Sequence, residues 1–176
     1  MISWLLATTL MLASPSVGAS GSPSAVRTHL DVPVVKQTPQ RCGQAALEMV
    51  LRYYGAGPEA LKEPARAFDP ILRGSLITDL AAAARRAGYD AEIATLTPDS
   101  LVALLAADVP PIVLYQNGPP PFTVAHFGVI RGWDADRKTL SVNDGEAAAK
   151  TLQLSDFAKR WRTAGSQALI IRRVRS

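Results

Sequence analysis

From Gln44 to Arg52, polar side chains recur at every fourth position (Gln44, Glu48, Arg52) within a stretch that is otherwise apolar. That spacing places the three on one narrow stripe of a helix, with Glu48 and Arg52 set to pair. The run therefore predicts a mostly buried central helix with one wet edge, stopped at Gly55 and followed by the Gly57-Pro58 break. Cys42, the only cysteine, falls at its N-terminus, beside Gly43. Unpaired N–H groups and the helix dipole favour a thiolate there.

The pattern continues in helical periods and then changes. A short helix around residues 59–68 is limited by Pro64. Ser75 reads as the cap of a second helix whose apolar face is Leu76, Ile77, Leu80, Ala84 and Ala87, with Gly88 ending it. Residues 90–96 suit a strand. Thr97-Pro98 then starts a helix with Leu101, Leu104 and Leu105 on its face. Beyond Pro110-Pro111 the period shortens: strands are expected at 111–115, 127–133, 138–142 and 168–174, with a hairpin across residues 134–136. Residues 116–121 form a proline-rich loop, and Ser155 is expected to cap a helix carrying Phe157 and Trp161. Residues 32–35, with Pro33, suit an edge segment entering the domain. Helices precede most strands, which argues for an α+β fold rather than repeated βαβ units.

Composition changes the picture at the N-terminus. Residues 4–13 are an apolar run of signal-peptide length, and Val17-Gly18-Ala19 offers small residues for cleavage after Ala19, although no Lys or Arg precedes the run. The run is short for a membrane span. The expected organisation is a signal peptide at 1–19, a flexible mature N-terminus at 20–31 and one domain at 32–176. Export to the periplasm or beyond follows from that reading, with no stable membrane insertion after cleavage. A single cysteine makes no intramolecular disulfide, and a lone thiol in an oxidising compartment must be buried or used. The net charge of +4 is modest, and basic residues are not interleaved with aromatics, so nucleic-acid binding has little support. One cysteine, two distant histidines and no phosphate-binding glycine loop give no expectation of a metal or other cofactor.

A nucleophilic thiol needs a base, and only His29 and His126 are available. His29 lies near the N-terminal tail. His126 stands where the proline-rich loop enters a strand, the better place to hold a ring. The hairpin brings Asn143 and Asp144 towards the start of that strand, so either can orient the imidazole. An Asn-Asp-Gly turn is also good turn chemistry in its own right. For an oxyanion the backbone N–H of Cys42 is one donor, and the side-chain amides of Gln37, Gln40 and Gln44 compete as another.

These residues resemble a family pattern. Val32-Pro33, Gln37, Cys42-Gly43-Gln44-Ala45-Ala46-Leu47-Glu48-Met49-Val50-Leu51-Arg52-Tyr53-Tyr54-Gly55 and His126-Phe127-Gly128-Val129-Ile130-Arg131-Gly132-Trp133-Asp134 occur in order, followed by Val142-Asn143-Asp144 and Phe157 to Trp161. The chain is similar to the papain-like double-glycine (bacteriocin-processing, or leader) peptidases, and more closely to their stand-alone secreted branch. The resemblance implies a papain-like cysteine peptidase fold in which a nucleophile helix packs on a C-terminal antiparallel sheet. It also implies Cys42 as nucleophile, His126 as base, Asp144 as orienting acid and Gln37 as oxyanion-hole residue. The expected substrate is a secreted or envelope protein or peptide, cut next to small residues such as Gly-Gly, by a monomer. Gly43 and Gly128 would leave room for a narrow cleft. The family usually carries proline after the aspartate, where this chain has Gly145. Two alternatives share the same side chains: a cell-wall peptide amidase or transpeptidase, and a non-catalytic peptide-binding maturation factor.

Overall fold

The apolar run around residue 47 becomes helix α1, Cys42–Tyr53. A computed structural model of the chain describes residues 27–119 and 121–174; the expected signal peptide and residues 20–26 lie outside them. Leu47, Met49, Val50 and Leu51 are all buried, at about 1.5–3 kcal/mol for each such side chain. Packing, rather than intrinsic propensity, therefore holds the helix. Its end is a Schellman arrangement: Ala56 N–H bonds Leu51 O and Gly55 N–H bonds Arg52 O, with Gly55 at φ +75°. The stripe is only partly wet. Glu48 and Arg52 pair at 2.7 Å, whereas Gln44 is buried with both amide atoms unpartnered among the described residues. The four-residue period sets direction, and near the helix start that direction meets the domain interior.

A 3-10 helix, Ala60–Ala67, follows and tolerates Pro64. Helix α2 spans Ile77–Arg86. Ser75 does not cap it: the helix starts after Leu76, and the Ser75 hydroxyl is buried without a hydrogen bond. Leu76 leaves the expected apolar face and is 50% exposed. Strand β2, Tyr89–Thr95, leads to α3, Pro98–Ala106, where Thr97 accepts from Ser100 N–H and Pro98 takes the first turn.

The remaining strands are β3 (Ile112–Asn117), β4 (Val124–Asp134), β5 (Thr139–Asn143), β6 (Lys150–Gln153) and β7 (Gln167–Arg173), with α4 (Leu154–Thr163) before the last. With β1 (Arg27–His29) they form a seven-stranded antiparallel sheet in the order β2-β7-β3-β4-β5-β6, with β1 against β4. The α+β arrangement, with N-terminal helices packed on a largely C-terminal antiparallel sheet, matches the expectation. Two strands went unpredicted. Strand β1 lies within the segment expected to be flexible, and Leu30 after it is buried, so the packed domain begins before residue 32. The edge segment expected at 32–35 is not a strand; Val32 is buried and its carbonyl accepts from the Asn143 amide. Strand β6 runs directly into α4, where Leu154 N–H bonds Lys138 O. Strand pairing thus supplies the partner at this helix start, and Ser155 lies inside the first turn instead of capping.

Candidate active site

Three elements meet at the N-terminus of α1. Strand β4 begins at Val124, earlier than its apolar pattern indicates, so His126 is its third residue and faces Tyr115 of β3 in register. Paired to β3 and buried, the ring has little freedom: it is 8% exposed and stands edge-to-face with Tyr115, with centroids 5.8 Å apart. The hairpin register sets Val129 opposite Asn143, which carries the end of β5 back towards His126.

The Cys42 and His126 side chains line the same cleft and lie close enough to act on each other. Burial alone would push the thiol up. The His126 hydrogen bond and charge, together with the N–H groups of Phe127 and Gly43, more than offset this and hold Cys42 below the usual thiol range. Burial pushes His126 down, but the bond to Cys42, the charge of its thiolate, the Asp144 carbonyl and the Asp144 carboxylate charge leave it above the usual imidazole range. Opposite shifts in a touching pair favour a thiolate–imidazolium couple, the reactive form of a cysteine nucleophile.

The far side of the ring differs from the expectation in one detail. His126 Nε2 donates to the main-chain carbonyl of Asp144 at 2.9 Å. A carbonyl can only accept, so Nε2 carries the hydrogen and Nδ1 is the nitrogen left for the thiol. The Asp144 carboxylate instead lies 2.5 Å from Lys150 Nζ, close enough for an ion pair although not aligned as a hydrogen bond. Its other oxygen accepts a long bond of 3.4 Å from Glu146 N–H. Asn143, the other candidate, turns its amide to Val32 O and is committed to the fold.

Gln37, Cys42 and His126 line one cleft of about 540 Å³. Gln37 N–H bonds Gly145 O at 2.9 Å, while its side-chain amide has no protein partner among the described residues. Gln40 also lines the cleft, but its amide oxygen accepts from Arg73 Nε at 3.2 Å. Buried Gln44 is not among the lining residues. Gln37 and Gln40 thus share the cleft with the thiol, and Gln37 is the one whose side-chain amide has no partner among the described residues. Gly145 explains the missing proline. It sits at φ +85°, and a Cβ there would fall 2.8 Å from Gln37 Cβ and Cγ. Proline would meet both obstacles.

Gly43 and Gly128 do not open the cleft. A Cβ on Gly43 would press on Leu80, Ser75 and Phe127 at 3.1–3.2 Å, and one on Gly128 on Val142 and Tyr115 at 3.0–3.2 Å. Both permit close packing and neither lines the cleft. Its walls are instead apolar: Leu72, Leu76, Leu114, Val124 and Phe127. Sequence reading missed Leu72, Val124 and Lys150. Leu72 and Val124 lie in loop-like surroundings with no period, and Lys150 belongs to a strand too short to give one. His29, the other histidine, lies on β1 beside Arg131, remote in register from His126.

The chain and its fold are similar to known proteins. The Peptidase_C39-like family model matches residues 29–169. No curated protein matches the chain. Among solved structures, the peptidase domain of Streptococcus ComA, a bifunctional ABC transporter of a quorum-sensing pathway, is 18% identical. It superposes with a TM-score of 0.65 over 81% of this chain and 99% of that one. A double glycine motif protease from an AMS/PCAT transporter, solved with its leader peptide, is 26% identical, with a TM-score of 0.63 over 85% and 97%. A C39-like peptidase from Bacillus anthracis is 16% identical, with a TM-score of 0.65 over 86% and 100%. No helix among the described residues is long and apolar enough to cross a membrane. With the match spanning most of its length and the fold in common, this chain belongs to the Peptidase_C39-like family of cysteine peptidases.

Proposed function

We propose that the chain is a cysteine endopeptidase in which Cys42 is the nucleophile and His126 the base, with Gln37 and the Cys42 N–H completing the oxyanion site and Asp144 orienting His126. The observation that carries this reading is the placing of Cys42, His126 and Gln37 in one cleft, with the thiol and imidazole each shifted towards its ionised form by the other.

In the first half-reaction Sγ attacks the peptide carbonyl carbon. The C–S bond forms and the π pair moves onto oxygen, where the Gln37 amide and the Cys42 N–H can receive it. Collapse breaks the C–N bond as the His126 Nδ1 proton goes to the leaving amine. Water then gives its proton to His126, attacks the thioester and releases the acid and the thiol. Nε2 keeps its hydrogen throughout, held by the Asp144 carbonyl.

For substrate, we propose a secreted or envelope polypeptide cut next to small residues such as Gly-Gly, in an exported, monomeric enzyme. The support for Gly-Gly is the relative named a double glycine motif protease, not room beside Gly43. The apolar walls add a preference for aliphatic side chains a few residues from the cut. The test is incubation with Gly-Gly-containing peptides followed by mass spectrometry, with Cys42→Ala as control. Cleavage after Gly-Gly supports the proposal. If no peptide is cut while peptidoglycan fragments are, the amidase reading replaces it; if a thiol-directed peptide analogue also leaves Cys42 unmodified in folded protein, the enzyme reading fails.

A further inference from the structure

Asp144 meets its surroundings through two different groups. Its main-chain carbonyl holds His126 Nε2, while its carboxylate faces Lys150. The Asp144 side chain is 1% exposed and that of Lys150 43%. A carboxylate so deeply buried needs a cation, and removing one partner of such a pair leaves the other charge uncompensated. Among the described residues Lys150 is the cation that meets it.

The position of Lys150 matters as much as its charge. It opens β6 and pairs in register with Val142 of β5, so residues 144–149 close a hairpin loop between the two. No backbone hydrogen bond spans that loop internally among the described residues; the Asp144–Lys150 ion pair ties its ends together. The same loop supplies both main-chain carbonyls that meet the site: Asp144 O to His126, and Gly145 O to Gln37 N–H. A shift of the loop therefore moves the anchor of the base and that of the oxyanion amide together.

We propose that Lys150 is a positioning residue for the Cys42–His126 pair: by engaging the Asp144 carboxylate it sets the Asp144 carbonyl against His126, so that the carbonyl makes the direct hydrogen bond and the carboxylate acts on the imidazole through its charge alone. This rests on the peptidase reading above and adds the residue through which Asp144 acts. The carbonyl fixes tautomer and ring orientation. The groups facing His126 are Cys42 from α1, the edge of Tyr115 from β3 and Asp144 from the end of β5, with Lys150 of β6 behind Asp144. Arg160 of α4 acts on Tyr115.

The test reads Cys42 alkylation by iodoacetamide against pH, which needs no turnover, beside peptide cleavage and thermal unfolding. The set is the wild type, Lys150→Met, Lys150→Arg, Asp144→Asn and the double variant combining Lys150→Met with Asp144→Asn, with Lys150→Gln read in place of Lys150→Met should the latter not fold. Lys150→Met is expected to slow alkylation near neutral pH and cleavage by about tenfold, and to move the acidic limb up by about one pH unit, as for a modest loss of alignment. Lys150→Arg restores both. In the Asp144→Asn background Lys150→Met adds nothing further. Three results would each overturn the proposal: a Lys150→Met profile superimposed on the wild type's, a lowered melting temperature with an unchanged profile, or a Lys150→Met effect that persists in full in the Asp144→Asn background. If the wild type alkylates as an ion-paired thiol yet cuts no peptide, the peptidase reading fails while the Lys150 effect on alkylation stands or falls separately.

Discussion

The two sides of the cleft are built in different ways. On one side Cys42 begins α1, whose next two turns are largely apolar and buried. On the other, the group behind His126 comes from a short loop at residues 144–149, with Glu146, Ala147 and Ala148 exposed. The first side is stiff because moving Cys42 means moving a packed helix in a dense core. The second is held by a few polar contacts: one ion pair, one carbonyl bond to the imidazole and one to Gln37 N–H. A nucleophile is thus held by packing, while its base is aligned by hydrogen bonds whose loss costs alignment more than fold. Substitutions of the residues that pack α1 should lower stability, whereas those in the loop, and of the thiol itself, should slow the reaction.

Cys42→Ala should give the largest effect, and it separates the thiol from the packing that holds it. Turnover should drop by roughly six orders of magnitude, the scale seen when a nucleophile is removed. The melting temperature should barely move, because the thiol is a partly exposed end of a helix anchored elsewhere. Kinetics on a cleavable peptide and a thermal melt measure both; a large stability loss would mean that the cysteine serves the core.

Gly43→Ala and Gly145→Ala then divide the two sides. At Gly43 the added methyl overpacks Leu80, Ser75 and Phe127, and about 1–3 kcal/mol of stability should be lost. At Gly145 the new side chain meets φ +85° and the stem of Gln37 at 2.8 Å. The strain is of similar size, about 1–3 kcal/mol, but the loop can give way. Its main sign should be a fall in kcat by one to two orders of magnitude, as expected of roughly an ångström of misplacement. Denaturant unfolding and steady-state kinetics on both variants decide it; equal stability losses with equal kcat would erase the contrast.

The pH profile probes how the two sides are coupled. Cys42 is lowered and His126 raised, so the ion pair forms well below the usual thiol range and persists above the usual imidazole range. As pH falls through the lowered thiol value, the sulfur takes a proton and activity should drop about tenfold per unit. As pH rises through the raised imidazole value, the proton for the leaving amine is lost and activity drops again. The two limbs belong to the pair rather than to either residue. A profile rising only near the free-thiol range would show that the pair does not form.

The smallest effect is expected at the cleft walls. Leu72 and Leu76 are 56% and 50% exposed, so Leu76→Ser or Leu72→Ser should leave the melting temperature within about a degree or two while raising KM several-fold, with kcat held. Binding titration of an uncleaved peptide to the Cys42→Ala protein offers an independent check.

Legibility follows the same division. Residues 42–55 announce themselves because helical periodicity, the Gly55 stop and the lone cysteine all lie within one continuous segment. The β4–β5 hairpin is equally readable from its turn, which is why pattern alone carries Asn143 and Asp144 towards His126. The sequence misleads where a local signal competes with a tertiary partner. Ser75 and Ser155 look like caps, yet one hydroxyl is buried unpaired and the other helix begins where strand pairing ends. Gln44 looks wet by spacing and is buried.

What the sequence determined by itself was the inventory and its order: one thiol at a helix start, one histidine on a strand, an acid at the end of the next, and enough apolar periodicity for an α+β core. Such features depend on neighbours within a few residues, where helix and strand geometry alone dictate direction. Only the tertiary structure decided how the side chains are used. It turned the Asp144 carboxylate to Lys150 and its carbonyl to His126, placed Gln37 and Gln40 in the cleft but not Gln44, and filled the space beside both expected cleft glycines. Those choices depend on angles and distances between segments far apart in the chain, which no local pattern encodes.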